Sequence, residues 1–154
     1  TFVKRISRKE VEENFPVRAA LEGLAAELAL PRMDAEALGR LRAALERMGA
    51  AVRTRDTKLF YTHHLAYHET FIERCGNDLI RELLKTIRMQ SLWHRFSYQY
   101  YLEDLPKSFR VHQRILKLFE SKTTPPEKLR ALVEHHINAA LGRFLSYLEE
   151  FERR

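Results

Sequence analysis

The sequence predicts an all-α protein, an antiparallel bundle of six to seven helices, and three observations carry that expectation. Only 5 glycines and 5 prolines punctuate 154 residues, too few for the dense turns of a β protein. Apolar residues recur at steps of three and four over long stretches, the period of a helix buried along one face. No alternating run of β-branched residues bounded by turn signals is long enough for a strand.

Each element has its own start and stop. Ser7 followed by Glu10 is a capping box, in which the hydroxyl accepts the third amide and the carboxylate reaches back to the cap amide, so a short helix is expected over about residues 8–15. Pro16 has no amide hydrogen and disfavours helix in the residue before it, which predicts a second helix from Pro16 to Leu30 with Leu21, Leu24, Ala25 and Leu28 on its stripe. Pro31 closes it. Asp34 caps a third helix carrying Leu38, Leu41, Leu45, Met48 and Val52, and Asp56 caps a fourth ending near Cys75-Gly76. Asn77 caps a fifth that extends to about Leu102, and Pro106 opens a sixth through Phe109, Ile115, Leu116 and Phe119. Thr124-Pro125-Pro126-Glu127 reads as a second capping box, from which the last helix reaches Phe151. Short connections between long amphipathic segments favour antiparallel neighbours.

Composition narrows the class further. A chain of 18.3 kDa fits one domain and can bury a core without staples. The 45% hydrophobic content excludes a disordered tail. A mean hydropathy of −0.43, with no apolar run of spanning length and no leader-like start, excludes a membrane protein. One cysteine, Cys75, is compatible with a reducing compartment, so a cytoplasmic location is expected. The formal charge is +6, but Lys4, Arg5, Arg8 and Lys9 place +4 of it in residues 1–9, where no acid occurs. The body is therefore nearly neutral, which argues against a basic groove across the domain. The leading end is either a solvated terminus or a segment that adjoins something anionic.

A bundle has no chemistry of its own, so function has to be sought in polar residues that the helical period forces inward. Seven histidines can be sorted this way. His64 and His68 share the stripe of Phe60, Tyr67, Phe71 and Cys75, with His63 to one side. His112 falls on the face of Phe109, Ile115, Leu116 and Phe119. On the last helix, Leu129, Val133, Ala140, Phe144 and Leu148 select His136 and not His135. Four imidazoles facing one interior are costly unless their nitrogens are satisfied. A shared divalent ion would satisfy them, and so would hydrogen bonds to Tyr, Asp or backbone groups in a metal-free core.

The chain also resembles a known family in Val17-Arg18-Ala19-Ala20-Leu21-Glu22, Tyr67-His68, Gly76-Asn77, His112 with Ile115-Leu116, and His136-Ile137. These short motifs occur in an order and spacing similar to the FCD domain, the C-terminal effector domain of FadR-type regulators in the GntR family of bacterial transcription regulators. Residues 8–154 are expected to be that domain. Residues 1–7 look like the end of the wing and linker that follow an N-terminal winged helix-turn-helix, which would make the chain a fragment of a DNA-binding regulator. The resemblance implies a homodimer, a pocket for small carboxylate metabolites, and operator DNA bound through the missing N-terminal domain. It places the family's metal set, one Asp and three His, on His64, His68, His112 and His136, with His64 standing where an acid is expected.

That departure has consequences. Replacing a carboxylate by imidazole leaves a divalent ion its full charge, which favours an anionic effector at a centre with positions open. Imidazole ligands suit zinc first, with nickel, iron or copper as alternatives, and make magnesium or calcium improbable. The resemblance also implies that Arg18 grips the effector carboxylate through its planar fork, against the alternative of a surface pair with Glu22 at i+4. Asn77, Arg88 and Arg95 are further effector-binding candidates, since the helix from 77 to 102 passes the core. Helix capping is the competing role for Asn77, and a solvated face for the arginines. The leading expectation is an effector-binding and dimerisation domain and not an enzyme. A metal-dependent helical enzyme and a metal-free bundle that binds acyl ligands or only dimerises are the alternatives.

Overall fold

In the computed structural model, residues 7–90 and 93–153 are described, with the backbone alone for 88–90, 93–104 and 151–152. Among them the chain forms α1 (Arg8–Ala29), a 3-10 turn at Leu30–Arg32, α2 (Ala35–Thr54), α3 (Thr57–Arg74), α4 (Asp78–Gln90), α5 (Trp93–Glu120) and α6 (Pro126–Glu152). The all-α expectation therefore holds.

Four of the helix starts follow their caps, at Ser7, Asp34, Asp56 and Asn77. The Ser7 hydroxyl accepts from the Glu10 amide while the Glu10 carboxylate accepts from the Ser7 amide. Asp34 and Asp56 each accept from the amide three residues on, at 2.8 and 2.9 Å. Arg55 closes α2 in the left-handed region (φ 54°) and Gly76 (φ 68°) turns the chain from α3 towards α4. A side chain at Gly76 would be doubly penalised, because its Cβ would also sit 2.8 Å from Arg32 Nε.

Of the expected proline boundaries, the one at Pro31 is present, where α1 gives way to the 3-10 turn, and those at Pro16 and Pro106 are absent. α1 runs through Pro16 and α5 through Pro106, so the first two expected helices are one, and α5 takes in residues assigned to two. An internal proline costs roughly 3 kcal/mol in an isolated helix. Here Pro16 and Glu12, whose carbonyl loses its partner, both face solvent, while Val11, Phe15 and Ala19 on either side are buried along one line. Packing of that face outweighs the local penalty. The capping box at Thr124 is also replaced: its hydroxyl donates to the Leu118 carbonyl at 2.7 Å, tying the end of α5 to the start of α6, and Pro126 is the first helical residue.

The neighbours pack antiparallel where their contacts fix direction. Arg8 meets Glu149, Phe15 stacks near Phe144 at 6.1 Å, and Arg130 meets Glu27, so α1 and α6 run opposite ways. Arg42 with Glu120 and Gly49 against Phe109 do the same for α2 and α5. α3 lies between these pairs, touching α1, α2 and α5. Its buried face is thus enclosed by helices from three sides, which is what places His64 and His68 at the centre.

Two glycines test this packing in opposite directions. A Cβ at Gly23 would lie 2.4 Å from Glu134 Cγ, where α1 and α6 approach closely, whereas one at Gly39 would meet nothing within 4 Å. Gly39→Ala is expected to raise stability by about 0.5–1 kcal/mol and Gly23→Ala to lower it by about 1–3 kcal/mol in urea unfolding. Equal effects of both substitutions would contradict the close α1–α6 approach.

Candidate metal centre

The four inward histidines meet. His64 and His68 stand one turn apart on α3, His112 comes from α5 and His136 from α6, and one ligand nitrogen from each lies within 4.8 Å of the others. All four are buried. By contrast His135 is exposed and His63 half-buried, in keeping with their places on the helical wheel.

Hydrogen bonds fix how two of these rings are oriented. His68 Nδ1 lies 2.5 Å from Glu22 Oε2, and because an oxygen of an ionised carboxylate can only accept, Nδ1 carries the proton and donates it. His112 Nδ1 lies 2.7 Å from the Ser108 carbonyl and donates to it by the same reasoning. In the neutral form each ring then has its lone pair on Nε2. Those two Nε2 atoms face one another at 2.9 Å. Two lone pairs at that distance repel, so the spacing calls for either a proton or a metal ion between the two nitrogens. Two nitrogens each about 2.0–2.1 Å from one ion are about 2.9–3.4 Å apart at angles between a right angle and a tetrahedral one, so the spacing fits a shared metal. The donor set fits as well, since neutral imidazoles are borderline ligands for zinc, nickel, iron and copper.

Burial keeps three of the rings neutral, those of His64, His112 and His136. Desolvation, followed by the neighbouring histidines, holds His64 and His136 well below the usual histidine range, and Arg18 adds to it in both cases. His112 is lowered to about 3 by desolvation and His68, against a smaller opposing effect of its bond to Ser108. A proton therefore does not compete strongly for the lone pairs of His64, His112 and His136 near neutrality. Tyr67, also buried, donates its hydroxyl to the His112 carbonyl at 2.9 Å and so pins the turn that carries the ligand.

Glu22, which the sequence offered only as an i+4 partner for Arg18, also touches the histidine cluster. It is fully buried, with Oε2 on His68 and Oε1 accepting from Arg18 Nε at 2.8 Å. The signal was present: Val11, Phe15, Ala19, Glu22, Ala26 and Ala29 form the most buried line of α1, while Leu21, Leu24 and Leu28 only flank it. Arg18 makes the i+4 pair with Glu22, yet its side chain is only 13% exposed and the pair abuts the histidines, so it is not a surface pair. Asn77 caps α4, with Oδ1 accepting from the Ile80 amide at 3.0 Å. The side chains of Arg88 and Arg95 lie outside the described residues.

The depressed histidines set a pH dependence. The folded state holds His64, His112 and His136 neutral, while the unfolded chain takes up protons near the ordinary value of 6.5. The unfolded state thus binds more protons below about pH 6.5, so stability falls as pH falls, by at most about 1.4 kcal/mol per pH unit per histidine. Chelator-treated protein is expected to show this loss in urea unfolding between pH 7 and 5, where carboxylates stay largely ionised. A flat profile over that window would exclude buried neutral histidines.

Comparison with known families matches residues 13–139 to the FCD domain, a span that takes in Arg18, Glu22 and all four histidines. No curated protein matches the chain. The chain belongs to the FCD domain family, whose members generally serve as ligand-binding and dimerisation domains of transcription regulators.

Proposed function

We propose that this domain senses a small carboxylate metabolite through a divalent metal ion held by His64, His68, His112 and His136, as the effector-binding and dimerisation domain of a GntR-type regulator. The observation that carries the reading is a group of four buried histidines whose ligand nitrogens lie within 4.8 Å of one another, with two Nε2 atoms facing at 2.9 Å. A bound ion, zinc foremost with nickel or iron as alternatives, supplies a positive centre for an anion in a site from which water is largely excluded. The protein's own part is to hold the ligands neutral, set their tautomers and keep Arg18 beside them as a second cation. Arg18 presents a planar fork suited to a carboxylate, and Asn77, Arg88 and Arg95 are the further residues assigned to the effector.

In the regulator, effector binding would favour one arrangement of a homodimer and so the spacing of DNA-binding domains that precede residue 8, with residues 1–7 as linker. The domain itself contacts no operator in this scheme. A sensing role and not catalysis is supported by Glu22, the carboxylate that touches the cluster: with both oxygens engaged it orients a ring and is not disposed to take a substrate proton. No helix among the described residues is long and apolar enough to cross a membrane. A cytoplasmic site of action is part of the proposal.

Elemental analysis of protein purified without chelator is expected to find about one transition-metal ion per chain, and His68→Ala to abolish it. Carboxylates are expected to raise the unfolding temperature of the metal-loaded protein and not of the chelator-treated protein. Absence of metal in the unmodified protein would refute the reading.

His64→Asp restores an acid at the position where the family pattern has one. It is expected to keep metal binding but move preference from zinc towards manganese, with anion affinity reduced because the inner shell gains a negative charge. Competition between the two metals measures the first effect. An unchanged preference would show that His64 is not a ligand.

A further inference from the structure

The geometry points to Glu22 as the positioning residue of the metal centre, which sets His68 to bind through Nε2 and is itself held in place by Arg18. This inference rests on the metal reading proposed above and deepens it. Three observations support it. Glu22 is wholly buried in the middle of α1, a position where an unpartnered carboxylate would be strongly disfavoured. Its two oxygens are divided between two partners, Oε2 at 2.5 Å from His68 Nδ1 and Oε1 at 2.8 Å from Arg18 Nε. The opposite nitrogen of the same ring, His68 Nε2, is the atom that faces His112 Nε2 at 2.9 Å.

The chemistry follows from the two nitrogens of one imidazole. A carboxylate accepting from Nδ1–H disfavours the neutral tautomer with the proton on Nε2, so the neutral ring presents its lone pair to the centre. It also makes the ring a stronger donor to a cation, and fixes its plane. His112 achieves the same orientation with a neutral backbone carbonyl, so Glu22 is the member that adds charge. The carboxylate that the inner shell lacks at His64 is thus supplied from behind His68. Arg18 sits on the other oxygen, where it orients the carboxylate and offsets its charge.

The test compares the unmodified protein with Glu22→Gln and Glu22→Asp. Zinc affinity is read by competition with a chromophoric chelator, and the His68 tautomer by correlating ring protons with ring nitrogens in isotope-labelled protein. Glu22→Gln is expected to weaken zinc binding about 10–100-fold and to release His68 from a single tautomer in the zinc-free state. Glu22→Asp keeps the charge and is expected to recover part of the affinity. Equal zinc affinity in Glu22→Gln, or weakened affinity with the Nδ1-protonated tautomer intact and no recovery by aspartate, would overturn the inference and leave Glu22 a structural residue. If Glu22→Gln does not fold, the zinc-loaded unmodified protein decides alone: ligation through His68 Nε2 supports the assignment and ligation through Nδ1 overturns it. Failure of the unmodified protein to bind zinc would instead remove the metal reading itself, so the two failures are distinct.

Discussion

Two ring nitrogens turned towards each other at 2.9 Å, in an interior without bulk water, are the constraint around which this bundle is arranged. Nothing in a helical bundle requires such an arrangement, and hydrophobic packing alone would disfavour it, because each buried imidazole forfeits hydration. The rings are nevertheless held there by specific bonds: His68 by a carboxylate, His112 by the carbonyl one turn earlier. The Tyr67 hydroxyl on the His112 carbonyl adds a bond across helices to a group already used within its own helix, since a carbonyl has two lone pairs to offer. These bonds commit α1, α3 and α5 to one relative depth, and His136 brings α6 to the same level.

That commitment explains features of the chain that local propensity does not. Pro16 lies six residues before Glu22, and a break there would free the first part of α1 from the line that carries the carboxylate. The helix continues because Val11 and Phe15 seat on the same face as Ala19 and Glu22, with Phe15 against Phe144 of α6. Gly23, next to Glu22, lets α6 come close enough for Arg130, which also bonds Glu134 on its own helix, to pair with Glu27 across the helices. The stretch of α1 that looks least helical by rule is thus the stretch whose geometry the site most needs.

Much of this was legible before any coordinates. The inward members of each histidine pair could be read because Phe60, Tyr67 and Phe71 on one helix, and Val133 and Ala140 on another, set the wheel without ambiguity. Caps at Ser7, Asp34 and Asp56 were legible for the same reason: a short side chain with an acceptor three residues before a free amide has few other uses. Pro16 and Pro106 misled because the penalty of a proline is local and its compensation is tertiary. Glu22 was hidden by a different ambiguity. A glutamate four residues after an arginine reads as a surface pair, and α1 is rich enough in alanine that its leucines draw the apparent stripe towards themselves. Ranking alanines with leucines as markers of burial would have turned the face by one position and exposed it.

The placement of Glu22 alters the electrostatic argument that the sequence alone supports. With imidazole in place of an acid at position 64, a divalent ion would keep its whole charge, and the attraction for an anion would follow from the ligand set. A carboxylate behind His68 lowers that attraction, since it lies within one ring of the ion. Arg18 reverses most of the loss, because its guanidinium is paired to the far oxygen and stays charged at any accessible pH. In the proposed centre two demands that an inner-shell acid would merge are separated. Glu22 would strengthen the hold on a metal through His68, while the charge presented to an incoming carboxylate would be left to the ion and Arg18 together. An inner-shell aspartate would serve the first demand only by weakening the second, and the proposed arrangement avoids that exchange by placing the negative charge one hydrogen bond outward.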